Sequence, residues 1–108
     1  MKIFLIVFLP IFISIKAQAW DGSVSGKISI VDVTGGQNYG FRVSLKNSPK
    51  LCGNSYSWAY INQSDSNYQT YVSVLLAAKA MQSTVTIYTT RKGGEANGYC
   101  KMGYISMR

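Results

Sequence analysis

Hydrophobic positions along this chain change their spacing several times, and each change marks an element. Ile3 to Ile13 is a continuous apolar run broken only by Pro10. From Val24 to Val33 the pattern alternates. Val24, Ile28 and Ile30 point one way, and Ser25, Lys27 and Ser29 the other, which is strand period. Gly26 inside that run signals a bulge or a close backbone approach. Thr34-Gly35-Gly36-Gln37-Asn38 is rich in turn-forming residues. Tyr39, Phe41, Val43 and Leu45 then alternate with Gly40, Arg42, Ser44 and Lys46, so the two runs form a hairpin. Tyr56 to Asn62 is a third strand with Tyr56, Trp58 and Tyr60 on one face. That aromatic face suits either sheet packing or ligand stacking.

The period then lengthens. Tyr71, Val74, Leu75, Ala78 and Met81 recur at three and four residues, which predicts an amphipathic helix ending near Gln82. Ser66-Asn67-Tyr68-Gln69 fits a capping box with Ser66 at the N-cap, and Asp65 suits the positive end of the helix dipole. Thr84 to Thr90 returns to period two. Val85, Ile87 and Thr89 share one face, and Thr86, Tyr88 and Thr90 the other. A Gly-rich turn over residues 91–98 leads to a last strand over residues 99–107. The order β-β-β-α-β-β predicts a mainly β fold, a five-stranded β-barrel with one helix between strands three and four: the OB-fold. Residues 20–108 form one such domain. The fold serves nucleic acids and sugars alike, so it does not choose a function.

The N-terminal run changes the setting. Lys2, the apolar stretch and the small-x-small sequence Ala17-Gln18-Ala19 have the layout of a signal peptide over residues 1–19, cleaved after Ala19. The run is too short for a spanning helix, which needs roughly 20 mainly apolar residues. The mature chain is then periplasmic or secreted. In that compartment the two cysteines, Cys52 and Cys100, are expected to form one disulfide joining the loop after strand two to the start of strand five. The net charge is +7, and Lys2 and Lys16 leave with the signal. A basic surface suits anionic membranes, acidic glycans or an acidic protein. Export argues against nucleic acid as the partner. The sequence has no histidine, the commonest general base. Its four acidic residues sit in no catalytic pairing, and no metal or phosphate motif is present. The expectation is a binding protein rather than an enzyme, with no metal or other cofactor.

Several short features resemble the B subunits of AB5 toxins, in the subtilase-cytotoxin and pertussis-like branch. Trp20 follows the signal closely, and Ser25-Gly26 opens an apolar first strand. The Tyr- and Leu-rich helix over residues 68–81 then runs directly into Val85-Thr86-Ile87-Tyr88-Thr89. The resemblance implies a homopentameric ring of glycan-binding subunits, with helices facing a central pore and an enzymatic A subunit as partner. It also implies that Ser25 binds a sugar carboxylate. A sugar-contacting tyrosine of that branch maps onto Thr89, with Tyr88 just before it.

The chemistry of such a site is plain. Ser25, Thr89 and Thr90 offer hydroxyls, Tyr88 or Tyr39 a ring for the sugar's C–H face, and Arg42 or Lys27 a cation for a carboxylated sugar. Ser25, Tyr88, Thr89 and Arg42 are therefore the candidate contacts with a host or envelope glycan. The alternative is a stand-alone OB-fold protein that binds a protein partner, as an inhibitor or envelope-stress factor.

Overall fold

The computed structural model describes residues 20–108; the expected signal peptide and its cleavage site lie outside the described residues. Five strands and one helix follow in the order β1 (Gly22–Val33), β2 (Phe41–Leu45), β3 (Ala59–Ile61), α1 (Tyr68–Met81), β4 (Thr84–Arg91) and β5 (Cys100–Met107). The strands form one sheet in the order β1-β2-β3-β5-β4, and β4 returns to pair with β1, closing a ring. Every pairing is antiparallel except β3 with β5. Long β1 makes closure possible. Its first half pairs with β4 through Gly22↔Thr89 to Lys27↔Thr84, and its second half pairs with β2 through Ile28↔Leu45 to Val33↔Phe41.

Alternation fills the ring. Phe41, Val43 and Leu45 of β2 and Val85, Ile87 and Thr89 of β4 are all buried, and residues between them face outward. Leu75 and Ala78 of α1 join the same core. The helix ends in a left-handed Gln82 (φ 53°), where the Ser83 N–H bonds the Ala78 carbonyl and turns the chain into β4.

Four local expectations are corrected. The register irregularity of β1 falls between Ile28 and Ile30, not at Gly26. The alternation changes phase there, so Ile30 is exposed and Val31 is half-buried. The third strand shortens to Ala59–Ile61, leaving Tyr56 and Trp58 in the preceding loop. The capping box does not form. Asn67, in the left-handed region, is the N-cap and makes no side-chain cap bond. The Asp65 carboxylate instead accepts from the Asn62 N–H at 2.7 Å and pairs with Lys101 at 3.4 Å. Met81 is 61% exposed rather than part of the core face.

Candidate functional site

The cysteines determine where the aromatic side chains meet. Cys52, in the loop after β2, and Cys100, the first residue of β5, form a disulfide with Cα atoms 5.5 Å apart. The bridge brings Tyr56, four residues after Cys52, against Tyr99, the residue before Cys100; their ring centres are 4.9 Å apart and nearly perpendicular. Asn54 strengthens the same join. Its amide nitrogen donates to the Gly98 carbonyl at 2.7 Å and the Ala96 carbonyl at 3.3 Å, and its oxygen accepts from the Tyr56 N–H. Gly98 is required at this approach, because a Cβ there would collide with the Lys92 carbonyl oxygen.

Tyr99 is the hub of the cluster. It meets Tyr39 edge-on at 4.9 Å, Tyr56 at 4.9 Å and Trp58 at 4.9 Å. Tyr60 lies beneath, 4.7 Å from Tyr39, and is buried. Burial, reinforced by Tyr39 and then Asp65, pushes the Tyr60 hydroxyl up to about 12. Above this base, Tyr39, Tyr56 and Tyr99 join the 92–98 turn to line an open cleft of about 320 Å³. Lys92 stands at its rim. Its ammonium donates to the Tyr39 hydroxyl and lies 4.9 Å from the Tyr39 ring centre, and that hydrogen bond raises the Lys92 pKa. Glu95 lines the same cleft, so the rim carries both signs.

Tyr39 occupies the left-handed region at φ 53°, a costly conformation for an aromatic residue. Three contacts hold it. Its N–H donates to the Asn62 side chain at 2.7 Å, its carbonyl accepts from Arg42 Nε at 2.8 Å, and its hydroxyl takes the Lys92 bond. The Arg42 guanidinium also lies 4.6 Å from the Trp58 ring centre and donates to the Asn38 carbonyl at 3.2 Å. Arg42 therefore positions the β1–β2 turn behind the cleft.

The four residues named from the sequence separate onto two surfaces and the core. Ser25 and Tyr88 share the outer face of β1, β4 and β5. There the Ser25 hydroxyl bonds the Thr86 hydroxyl at 2.7 Å, and Tyr88 meets Tyr104 edge-on at 5.0 Å. Trp20 covers both tyrosines, at 5.9 and 6.5 Å, by lying over Gly103, where any Cβ would strike its ring. Arg42 sits with the cleft. Thr89 belongs to neither surface. It is completely buried, and its hydroxyl donates to the Leu51 carbonyl at 2.5 Å, so Thr89 supports the core rather than an exposed sugar contact.

Tyr99, Lys92 and Asn54 were not anticipated as site residues. One signal for Tyr99 was present: joining Cys52 to Cys100 brings Tyr56 and Tyr99 within reach of each other. Among the described residues no group of three or more His, Cys, Asp or Glu could hold a metal ion, and no helix is long and apolar enough to cross a membrane. Comparison with protein-family models, curated proteins and solved structures found no match to the chain.

Proposed function

We propose that this chain is an exported glycan-binding module on an OB-fold, and that the Tyr39–Tyr56–Tyr99 cleft is its principal sugar site. The observation that carries the reading is the concave cluster of tyrosines around Tyr99, held in shape by the disulfide and Asn54. Rings of this kind stack on the C–H faces of sugars, while their hydroxyls and the Lys92 ammonium bond sugar oxygens. The cleft volume sits at the low end of the roughly 300–1,000 Å³ typical of small-ligand pockets. The strand order, with the helix between β3 and β4, supports the OB-fold. In that fold the first and last loops flank the place where oligosaccharides and oligonucleotides bind. Here those loops supply Tyr39 and residues 92–99 of the cleft, and the β2–β3 loop adds Tyr56. A single-stranded nucleic acid would need a continuous positive groove, whereas Lys92 is offset by Glu95 at this rim.

The outer face of Ser25, Thr86, Tyr88, Tyr104 and Trp20 is the second glycan surface, and it is the one the toxin-subunit resemblance implies. A pentameric delivery subunit also needs apolar surface to pack against its neighbours. Exposed Leu76 and Met81 on α1, with Ile30 and Val33 on β1, supply candidates for that packing. The same residues favour the second reading, a stand-alone OB-fold protein that binds a protein partner.

A glycan array on the oxidised mature protein, followed by calorimetry with Tyr99→Ala and Ser25→Ala, tests the choice. Loss with Tyr99→Ala alone supports the cleft, and loss with Ser25→Ala alone transfers the function to the outer face. A blank array sinks the glycan reading. Native mass spectrometry tests assembly: a pentamer supports the toxin-subunit reading, and a monomer removes it.

A further inference from the structure

A second, unrelated concavity lies where β1 and β2 meet the end of α1. Lys27, Ile28 and Ser29 of β1, Lys46 just after β2, and Lys79 and Gln82 at the end of the helix enclose about 350 Å³. Lys27 and Lys46 are brought together by the sheet itself. Ile28 pairs with Leu45, so the two lysines lie across from each other, and the Lys46 N–H bonds the Lys27 carbonyl at 2.8 Å. Lys79 reaches in from its last helical turn, its ammonium 3.3 Å from the Ser29 carbonyl.

Like charges opposite one another on adjacent strands destabilise a sheet. Here three lysines line one concavity, and no acidic side chain is among its lining residues. The four acidic residues are placed elsewhere. Asp21 accepts from the Arg91 N–H, Asp65 pairs with Lys101, Glu95 lines the aromatic cleft, and Asp32 stands opposite Arg42 in the far half of the hairpin. Ile28 is buried and supplies an apolar floor, while the side chain of Gln82 adds a neutral polar group.

We propose that Lys27, Lys46 and Lys79 form a binding pocket for the phosphate group of a phosphorylated ligand. Three lysines lining one concavity from β1, the residue after β2 and α1 suit a compact tetrahedral dianion, which accepts charge-assisted hydrogen bonds from several directions at once. The pocket is separate from the aromatic cleft. It lies at the Ile28↔Leu45 end of the hairpin, whereas Tyr39 lies beyond the Val33↔Phe41 end. Five residues of strand separate these ends, roughly 17 Å at about 3.3 Å per residue. The inference therefore does not depend on the glycan reading.

The test is a nuclear magnetic resonance titration of the oxidised mature protein with inorganic phosphate, against chloride at equal ionic strength. Saturable amide shifts confined to Lys27–Ser29, Lys46 and Lys79–Gln82 are expected. Lys79→Gln should weaken binding about five- to tenfold, and Lys27→Gln with Lys46→Gln should remove it. Lys50→Gln, on a different loop, should leave binding unchanged. Shifts that do not saturate, that spread to Lys50 and Lys92, or that chloride reproduces would overturn the proposal. The source of the phosphate is resolved by two further probes. Tighter binding of glucose 6-phosphate than of inorganic phosphate assigns a soluble phosphosugar. Capture by phosphatidylcholine vesicles containing phosphatidic acid, lost in the double variant, assigns a lipid headgroup. Failure of both probes to exceed inorganic phosphate sinks the pocket as a ligand site.

Discussion

The molecule carries two aromatic surfaces built in different ways. The cleft assembles Tyr39, Tyr56, Trp58 and Tyr99 from three loops and Tyr60 from β3, and a disulfide with one asparagine ties two of those loops together. The outer face displays Tyr88 and Tyr104 on paired strands and needs only Trp20 folded over Gly103 to complete it. The first surface is concave because three loops curve around it. The second follows the sheet. Shape in the cleft therefore depends on cross-links, whereas shape on the outer face depends on the strand pairing that makes the fold itself.

That contrast is broken most strongly at the bridge. Replacing Cys52 and Cys100 together by alanine frees a loop of 48 residues' separation and should cost about 2–4 kcal/mol. Urea denaturation of the variant beside the oxidised parent measures it. Binding through the cleft should fall with the bridge even where the variant remains folded. Retention of Tyr88–Tyr104 near-ultraviolet dichroism under the same conditions would show that the outer face outlasts the cleft.

Alkaline pH acts on the same side of the comparison. The folded protein holds Tyr60 protonated up to about 12, above the usual tyrosine value near 10. Between those values the unfolded chain has lost the proton and the folded chain has kept it, so stability falls as pH rises. The contribution is fully present below pH 10 and is lost progressively through pH 12. The ceiling on that loss is on the order of 2–3 kcal/mol, from the linkage between pKa and folding. Denaturation midpoints on either side of pH 10 measure it, and Tyr60→Phe should flatten the dependence. A parent whose stability does not decline across this window contradicts the buried Tyr60 environment.

Thr89 tests whether a residue of β4 serves the core or a ligand. Thr89→Val keeps the shape, removes the hydroxyl and leaves the buried Leu51 carbonyl without its donor, at a cost of about 1–3 kcal/mol. Under the proposed glycan reading, affinity should not change. Loss of affinity with unchanged stability would put Thr89 back among the ligand contacts.

The same residue shows what was legible in the sequence. Period-two alternation already placed Thr89 with Val85 and Ile87, on the face that proved buried. Its assignment to a sugar site came from resemblance, and the alternation argued against it. Element order, the inner faces of β2 and β4 and the pairing of the cysteines were all readable, because each follows from local periodicity or from simple counting. The cleft was only half readable. Tyr56, Trp58 and Tyr60 form a visible aromatic run, but Tyr99 reaches them through a parallel β3–β5 pairing across some forty residues. No local pattern encodes that contact. The failed capping box also lies outside any local pattern: the chain enters α1 through a left-handed Asn67, and Asp65 is recruited by the Asn62 N–H and by Lys101 on β5.

The smallest structural change gives the sharpest comparison of the two surfaces. Ser25 is exposed, and its hydroxyl pairs with that of Thr86 across the β1–β4 register. Cross-strand hydroxyl pairs of this kind contribute roughly 0.2–1 kcal/mol, so Ser25→Ala should leave the melting temperature nearly unchanged. Its effect on binding can then be read without correction for folding. If the cleft is the sugar site, affinity is unaltered, because Ser25 belongs to the outer face with Tyr88 and the cleft is built from the opposite loops. A tenfold or greater loss would mean that a sheet surface, with hydroxyls at Ser25 and Thr86 beside the Tyr88 ring, binds sugar without the enclosure the cross-linked loops provide. Trp20→Ala should then weaken the same ligand, since Trp20 covers Tyr88 and Tyr104 but touches none of the five cleft aromatics.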